Sequence, residues 1–389
     1  MANDKFIPLS IPYLDGNEWK YVKDCLDTGW ISSVGSYVNK FEEMVAEYVG
    51  AKFGVAAVNG TAAIHISLIL MGVEHNDYVI IPNITFVATA NAVKYTGADP
   101  ILIDADPDTW QMDLELLEDF LENKTVANNG IGRRLKSDNR IIKVLLPVHV
   151  QGNIGDMDKL EKISEKYDLP IVEDAAEAMG STYKGKSAGT FGKLGCLSFN
   201  GNKIISTGGG GVIVTNDETL AQKAKHITTT AKSDPLYYHH DQVGYNYRLV
   251  NVLAAIGVAQ MEQLDGFVDR KIEIGNRYKL GLSGVADISY QEINKDVKHN
   301  NWLFTIKTKH QKKLLEYLNA NKILTRPFWM PMNMLPMYKD CLYITENNNC
   351  DLIHKTCLAI PCSTSISNEE IDIVIREIKE AVGNNIEST

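Results

Sequence analysis

The chain has 389 residues, of which 44% are hydrophobic and 23% charged, an ordinary globular composition with length for one large domain and a smaller one. Its formal net charge of -10 argues against a general binder of nucleic acid, because affinity for a phosphate backbone comes from clustered Lys and Arg. No apolar run approaches membrane-spanning length and Met1 to Ile11 carries no signal-like apolar core, so no membrane association is expected and the expected compartment is the cytoplasm. Cys25, Cys196, Cys341, Cys350, Cys357 and Cys362 form no CxxC pair, which fits reduced, mostly buried thiols and no metal site.

In chain order, short β-rich runs alternate with helical patterns. Strands are expected at Phe53–Val58, Tyr78–Ile81, Pro100–Ile103, Ile142–His149, Pro170–Glu173 and Gly211–Thr215. Helices are expected at Ala62–Met71, Thr85–Tyr95, Asp156–Tyr167 and Leu220–Thr228. This alternation predicts an α/β fold with a large, mostly parallel sheet covered on both faces. Glu122–Arg140 is polar and reads as a surface insertion. Helical spacing from Asn251 to about Leu282 predicts one long helix linking two domains. The division expected is 1–250 for the large domain with its N-terminal segment, 251–282 for the linking helix and 283–389 for a small C-terminal α/β domain. The last helix, Asn368–Val382, follows Ser367 and has an acidic first turn.

The most informative stretch is IVEDAAEAMGSTYKGKSAGTFGKLGCLSFNGNKIISTGGGGVIVTN, residues 171–216. The pair Glu173-Asp174 closes a strand, and ligands of open α/β sheets gather at the carboxyl ends of strands. Ser198 lies five residues before Lys203, and Gly208–Gly211 lead into the next strand. A lysine in a Gly-rich turn with a strand-end carboxylate upstream is what pyridoxal phosphate requires. The lysine forms the Schiff base, and the carboxylate keeps the pyridine nitrogen protonated so that the ring draws electrons. Lys203 alone would read as a solvated side chain; with Asp174, Ser198 and the glycines it does not. No GK[ST] follows the glycines, so the run is no Walker loop.

A second turn agrees. Val58-Asn59-Gly60-Thr61-Ala62 passes from strand to helix, and backbone N–H groups at Gly60, Thr61 and Ala62, with the Thr61 hydroxyl, suit a phosphate. Thr61 fits a plain helix cap equally well. Phe86, near the next helix start, fits either a ring stacked on the cofactor or a core aromatic.

The segments EDAAEAMGSTYKGK, SFNGNK, TGGGG, GYNYRL…AAIG and TRPFWMP…LPMY closely resemble the DegT/StrS family of pyridoxal-phosphate sugar aminotransferases, collinearly over nearly the whole chain. The resemblance implies the fold-type I, aspartate-aminotransferase-like architecture and a homodimer whose active sites share residues across the interface. It implies Lys203 as the Schiff-base lysine and Asp174 as partner of the pyridine nitrogen. It assigns Gly60, Thr61 and Ser198 to the phosphate, Phe86 to the ring face, Glu177 to the side of the phenolic oxygen, and Asn246 to the neighbouring subunit's cofactor phosphate. Trp30, Lys184, Arg248, Arg326 and Trp329 fall in stretches that line the nucleotide-sugar groove in relatives.

Two positions depart from the family. Glu177 stands where many members have Gln, and Asn333 where relatives often have His. The wording EDAAE, SFNGNK and DTGWISSVG is similar to enzymes acting on UDP-linked 4-keto-6-deoxy-N-acetylhexosamines. The implied cycle takes an amino group from L-glutamate through pyridoxamine phosphate to the sugar ketone, serving surface-glycan or nonulosonic-acid synthesis. A GDP- or dTDP-linked keto sugar, as for a perosamine synthase, is the alternative. The family's dehydratases carry His at the Schiff-base position, so Lys203 argues against that branch, and the YKGK and GYNYR segments argue against a lyase on the same fold. A regulator without catalysis would show an eroded site, which this chain does not.

Overall fold

A computed structural model describes residues 5–128, 130, 132–234 and 236–383. The large domain is built on β1 (Phe53–Ala57), α1 (Gly60–Leu70), β2 (Tyr78–Pro82), α2 (Val87–Tyr95), β3 (Asp99–Ile103), β4 (Ile141–Leu145), β5 (Val172–Asp174), β6 (Leu194–Ser198) and β7 (Gly211–Thr215). The strand Tyr343–Ile344, β3, β2 and β4 run parallel in that order. A second set, β1-β7-β6-β5, is antiparallel except for the parallel pair β6/β5. Parallel bridges Leu145↔Ile171 and Val148↔Asp174 join β4 to β5, so the two sets run into one mixed sheet.

Every residue of β2, β6 and β7 is buried, as expected of strands covered on both faces. The alternation along β2 shows the two layers. Ile80 packs with Phe41, Ile103 and Leu197 on one face, whereas Val79 and Ile81 pack with Ile64, Ile66 and Ile213 on the other.

The region 122–140 is less loose than its composition suggests. Thr125–Ala127 and Arg133–Leu135 form a hairpin that extends the sheet antiparallel to β4, and residues 129 and 131 lie outside the described set. Arg140 ties the hairpin down, stacking its guanidinium 3.8 Å from the Tyr78 ring centre and pairing with Asp99 at 2.7 Å. Local polarity did not reveal this, because the partners are distant in sequence.

The linking helix is two helices, α3 (Asn251–Met261) and α4 (Leu264–Gly281). The N-terminal segment grips the junction: Asn17 Nδ2 and the Tyr21 hydroxyl donate to the two Glu262 carboxylate oxygens, each at 2.7 Å. The apolar period runs on across the break, so spacing alone predicts a single helix.

In the C-terminal third, Ser289–Tyr290, Phe304–Lys307, Cys357–Ile360 and Arg326–Pro327 make a four-stranded antiparallel sheet. Helices Gln311–Ala320 and Asn368–Gly383 pack on it through Leu314, Leu318, Val374 and Ile378. Ser367 and Glu370 form a reciprocal capping box, with N–H···O contacts of 2.8 and 3.1 Å. The two domains exchange chain. Ile7 bridges to Ile323 and joins the small-domain core, while Tyr343–Ile344 edges the large sheet. All six cysteines are free, and all but Cys341 are buried. Among the described residues, no helix is long and apolar enough to cross a membrane and no His/Cys/Asp/Glu group is arranged to hold a metal ion.

Candidate active site

The carboxyl ends of β5 and β6, the β1–α1 turn, the start of α2 and the segment Arg326–Met330 enclose a cavity of about 740 Å³. This is where an open α/β sheet offers strand-end side chains and helix N-termini to a ligand.

The acidic pair at the end of β5 is divided by the strand's alternation. Glu173 turns away from the cavity and is fully buried. It accepts backbone N–H groups from Gly189, Phe191 and Gly192 at 2.6–2.8 Å and faces His149 Nε2 at 2.9 Å. Asp174 faces the cavity. Its Oδ2 accepts the Thr89 hydroxyl at 2.6 Å, and its Oδ1 accepts the Ala176 N–H at 3.1 Å. Burial pushes its pKa up, against these hydrogen bonds and the Lys203 charge. A buried carboxylate in that condition suits a cationic partner, such as the protonated nitrogen of a pyridine ring.

Lys203 sits in the turn after β6, its backbone N–H bonded to the Asn200 carbonyl at 3.0 Å. Its Nζ lies 3.7 Å from Glu177 Oε1 and 3.9 Å from the Trp302 ring centre. Burial pulls the lysine's pKa down, opposed by the Glu177 and Asp174 charges. The second Glu177 oxygen accepts the Gln151 N–H at 2.8 Å, and burial pushes this carboxyl up to about 7. Glu177 thus lines the cavity beside Lys203. Gln151 holds the left-handed backbone conformation at φ 63°, fixed by His299 Nε2 on its carbonyl at 2.9 Å and the Thr305 hydroxyl on its side chain at 3.1 Å.

At the other end, α1 begins at Gly60. The Asn59 side chain caps the helix by accepting the Ala62 N–H at 2.8 Å, so the Ala62 N–H is not a free donor. The Gly60 and Thr61 N–H groups stand in the first turn, where no intrahelical carbonyl reaches them. A Cβ on Gly60 would come within 2.9 Å of Ser198 Cβ and 3.2 Å of its Oγ. Glycine is thus what brings the serine hydroxyl against the helix start, and the donors gathered there fit a phosphate. Gly211 serves the same packing, since a Cβ there would meet the Asn59 carbonyl oxygen at 2.4 Å.

Aromatic rings form one wall. Trp302 and Trp329 stack with centres 6.4 Å apart and 29° between planes, and the half-exposed Phe86 meets Trp329 edge-on at 6.4 Å. Arg326 and Trp329 line the cavity. Trp30, Lys184, Arg248 and Asn246 are not among the described residues lining it. Trp30 is exposed, and its carbonyl accepts Asn251 Nδ2 at 2.7 Å. Lys184 pairs with Asp158 beyond the site. Arg248 is buried, with its guanidinium bonded to Glu42 and to the Ala56 carbonyl, an arrangement that holds β1. Asn246 is exposed, apart from this chain's own cavity. Asn333 is spent on Asn83: its backbone N–H donates to Asn83 Oδ1 at 3.0 Å, and its Oδ1 accepts Asn83 Nδ2 at 2.9 Å.

Thr89, Gln151 and Trp302 escaped sequence reading. Thr89 sits one turn into a predicted helix whose exposed face was unknown, Gln151 reaches the lysine only through Glu177, and Trp302 comes from the C-terminal third.

The site residues fit a phosphate at one end, a cationic ring in the middle and an amine-bearing lysine beside it. A family model for DegT/DnrJ/EryC1/StrS aminotransferases matches residues 12–379. The chain is 38% identical over 379 residues to the GDP-perosamine synthase of Escherichia coli O157:H7, covering 97% of this chain and 98% of that protein. It is 31% identical over 335 residues to the UDP-2-acetamido-2-deoxy-3-oxo-D-glucuronate aminotransferase of Pseudomonas aeruginosa, covering 83% and 87%. Its fold superposes on DesV from S. venezuelae with a TM-score of 0.84 at 27% identity, over 94% of each chain. The architecture is thus that of fold-type I pyridoxal-phosphate transferases. A match of this extent makes this protein a member of the DegT/DnrJ/EryC1/StrS aminotransferase family, a pyridoxal-phosphate-dependent sugar aminotransferase.

Proposed function

We propose that the enzyme moves an amino group from L-glutamate to the keto carbon of a nucleotide-linked sugar, with Lys203 as the lysine that carries the proton. The observation that supports this most is Lys203 Nζ in one cavity with Asp174 and the Gly60–Ser198 cradle. Pyridoxal phosphate, when bound, supplies a carbonyl for the Schiff base and a protonated ring that withdraws electrons from the neighbouring carbon. Asp174 holds the ring proton. Gly60, Thr61 and Ser198 bind the phosphate. The amine of Lys203, its pKa lowered by burial, takes a proton from the donor's α-carbon and returns it to the sugar carbon. Arg326 suits the diphosphate, while Trp329 and Phe86 suit a sugar or base face. Asn246, outside this chain's cavity, is assigned to the cofactor phosphate of a second copy in a homodimer. The free thiols suit work in the cytoplasm.

The sugar expected from the sequence is a UDP-linked 4-keto-6-deoxy-N-acetylhexosamine. A GDP-linked keto sugar is the second reading, favoured by the 38% identity to a GDP-perosamine synthase. One experiment tests both levels. The enzyme is converted to its pyridoxamine form with glutamate, then mixed with UDP-, GDP- and dTDP-linked keto sugars while the cofactor absorbance is followed. Return of the pyridoxal spectrum with one nucleotide series identifies the substrate, and return with none removes the sugar assignment. Lys203→Ala is expected to abolish both turnover and the lysine-linked absorbance; retention of both removes Lys203 from the mechanism.

A further inference from the structure

We propose that Glu177 is the proton partner of Lys203, passing one proton back and forth with its amine so that the lysine becomes neutral without changing the net charge of the buried site. The inference rests on Lys203 being the catalytic lysine and deepens that reading.

The geometry singles out one carboxylate oxygen. Asp174 has both oxygens engaged, by the Thr89 hydroxyl and the Ala176 N–H. Glu177 has Oε2 held by the Gln151 N–H at 2.8 Å, which leaves Oε1 turned to Lys203 Nζ at 3.7 Å. Both side chains are removed from water, with side-chain exposures of 13% for Lys203 and 4% for Glu177. An isolated ammonium or carboxylate is costly in such a place, and separating the charges by losing a proton to solvent is costly too. Transfer within the pair avoids that cost. Lys–NH3⁺ with Glu–COO⁻ becomes Lys–NH2 with Glu–COOH, one N–H bond breaking as one O–H bond forms, with the site's net charge unchanged.

The surroundings keep the exchange balanced. The Trp302 ring face, 3.9 Å from Nζ, favours the ammonium by cation–π attraction, and the indole Nε1–H is tied to the Asn202 carbonyl at 2.7 Å, beside the lysine. Asp174 is the other charge facing the pair and favours the protonated forms of both members. His299 acts only through the Gln151 carbonyl, and burial keeps it neutral, with its pKa near 4. Arg326 and His354 line the same cavity. Burial lifts Glu177 to about 7 and lowers Lys203, bringing the two proton affinities toward one another. Glutamine here keeps an acceptor for the Gln151 N–H and loses the exchange.

The test uses holoenzyme carrying Glu177 or E177Q. Borohydride reduction followed by peptide mass mapping checks that the cofactor is bonded to Lys203 in each. Rapid mixing with glutamate at pH 5.5–9 then gives the rate of the first half-reaction. For E177Q, the lysine label and the glutamate KM are expected to stay within about twofold, while the half-reaction slows by roughly 10- to 100-fold and its inflection near neutral pH disappears. Equal rates and equal pH profiles in the two proteins would overturn the proposal. So would a native enzyme whose half-reaction shows no inflection between pH 6 and 8, a measurement that needs no variant. Absence of the label at Lys203 in the native enzyme would instead overturn the assignment of the lysine, and the proton partner with it.

Discussion

Gly60 and Ser198 touch across the mouth of the site so closely that a single added carbon does not fit: the nearest serine atom would be 2.9 Å from it. The contact joins the N-terminus of α1 to the end of β6 and so fixes how closely the Ser198 hydroxyl approaches the helix start. Gly60→Ala is expected to weaken pyridoxal-phosphate binding about tenfold or more, because overpacking costs about 1–3 kcal/mol. Titration of the apoenzyme by cofactor absorbance measures this, and unchanged affinity would mean that the cradle is not the phosphate site.

Asp174 depends on Thr89 for its orientation, through a 2.6 Å hydrogen bond inside the protein. Hydrogen bonds to charged groups contribute about 1.5–3 kcal/mol. Thr89→Val keeps the side-chain shape and removes the donor. It should lower kcat about 10- to 100-fold, with the Lys203-linked absorbance retained. Full activity in this variant would show that Asp174 needs no such support.

Glu42 and Arg248 make a buried ion pair in which Glu42 also accepts the Ala56 N–H at 2.7 Å. Removing Glu42 leaves the buried Arg248 guanidinium without its carboxylate, whereas Glu42 keeps Lys225 at 3.5 Å when Arg248 is removed. Glu42→Ala should therefore cost about 3–5 kcal/mol of stability. Denaturant unfolding of the apoenzyme checks this. The same structure predicts that Arg248 variants lose stability rather than raise the KM for the sugar nucleotide.

His299 is held neutral by burial, with its pKa lowered to about 4 from an ordinary value of 6.5. Between those values the unfolded chain binds the proton and the folded chain does not. This group's contribution to stability is therefore complete above pH 6.5 and lost as the pH falls toward 4. Relative to the native enzyme, the unfolding midpoint of His299→Gln should therefore rise as the pH falls from 7 to 4.5. Glu177 acts with the opposite sign. Its raised pKa, about 7 against 4.5, makes it progressively destabilising as the pH rises between those values, so E177Q should gain on the native enzyme across that window. Parallel curves for the native enzyme and both variants would contradict the burial of these groups.

Sequence alone determined much of this protein, because the decisive features are local. Strand and helix periods, the Gly60-Thr61 turn, Asp174 closing its strand, and Lys203 with Ser198 before it all sit within short windows where backbone pattern and residue type speak together. Gly211–Thr215 was legible to the residue for that reason. The tertiary structure decided where side chains end. It sent Glu173 to the backbone of residues 189–192 and Asp174 to the cavity, gave Arg326 to the site and Arg248 to Glu42, and split the linking helix where Asn17 and Tyr21 hold Glu262. It also brought Trp302 of the C-terminal third over Lys203. Periodicity encodes which face of an element is apolar; the identity of the opposite surface depends on packing between segments far apart in the chain. Lys203 was readable from its neighbours in sequence, whereas the groups that govern its proton, Glu177 Oε1 and the Trp302 ring face, are set by the fold.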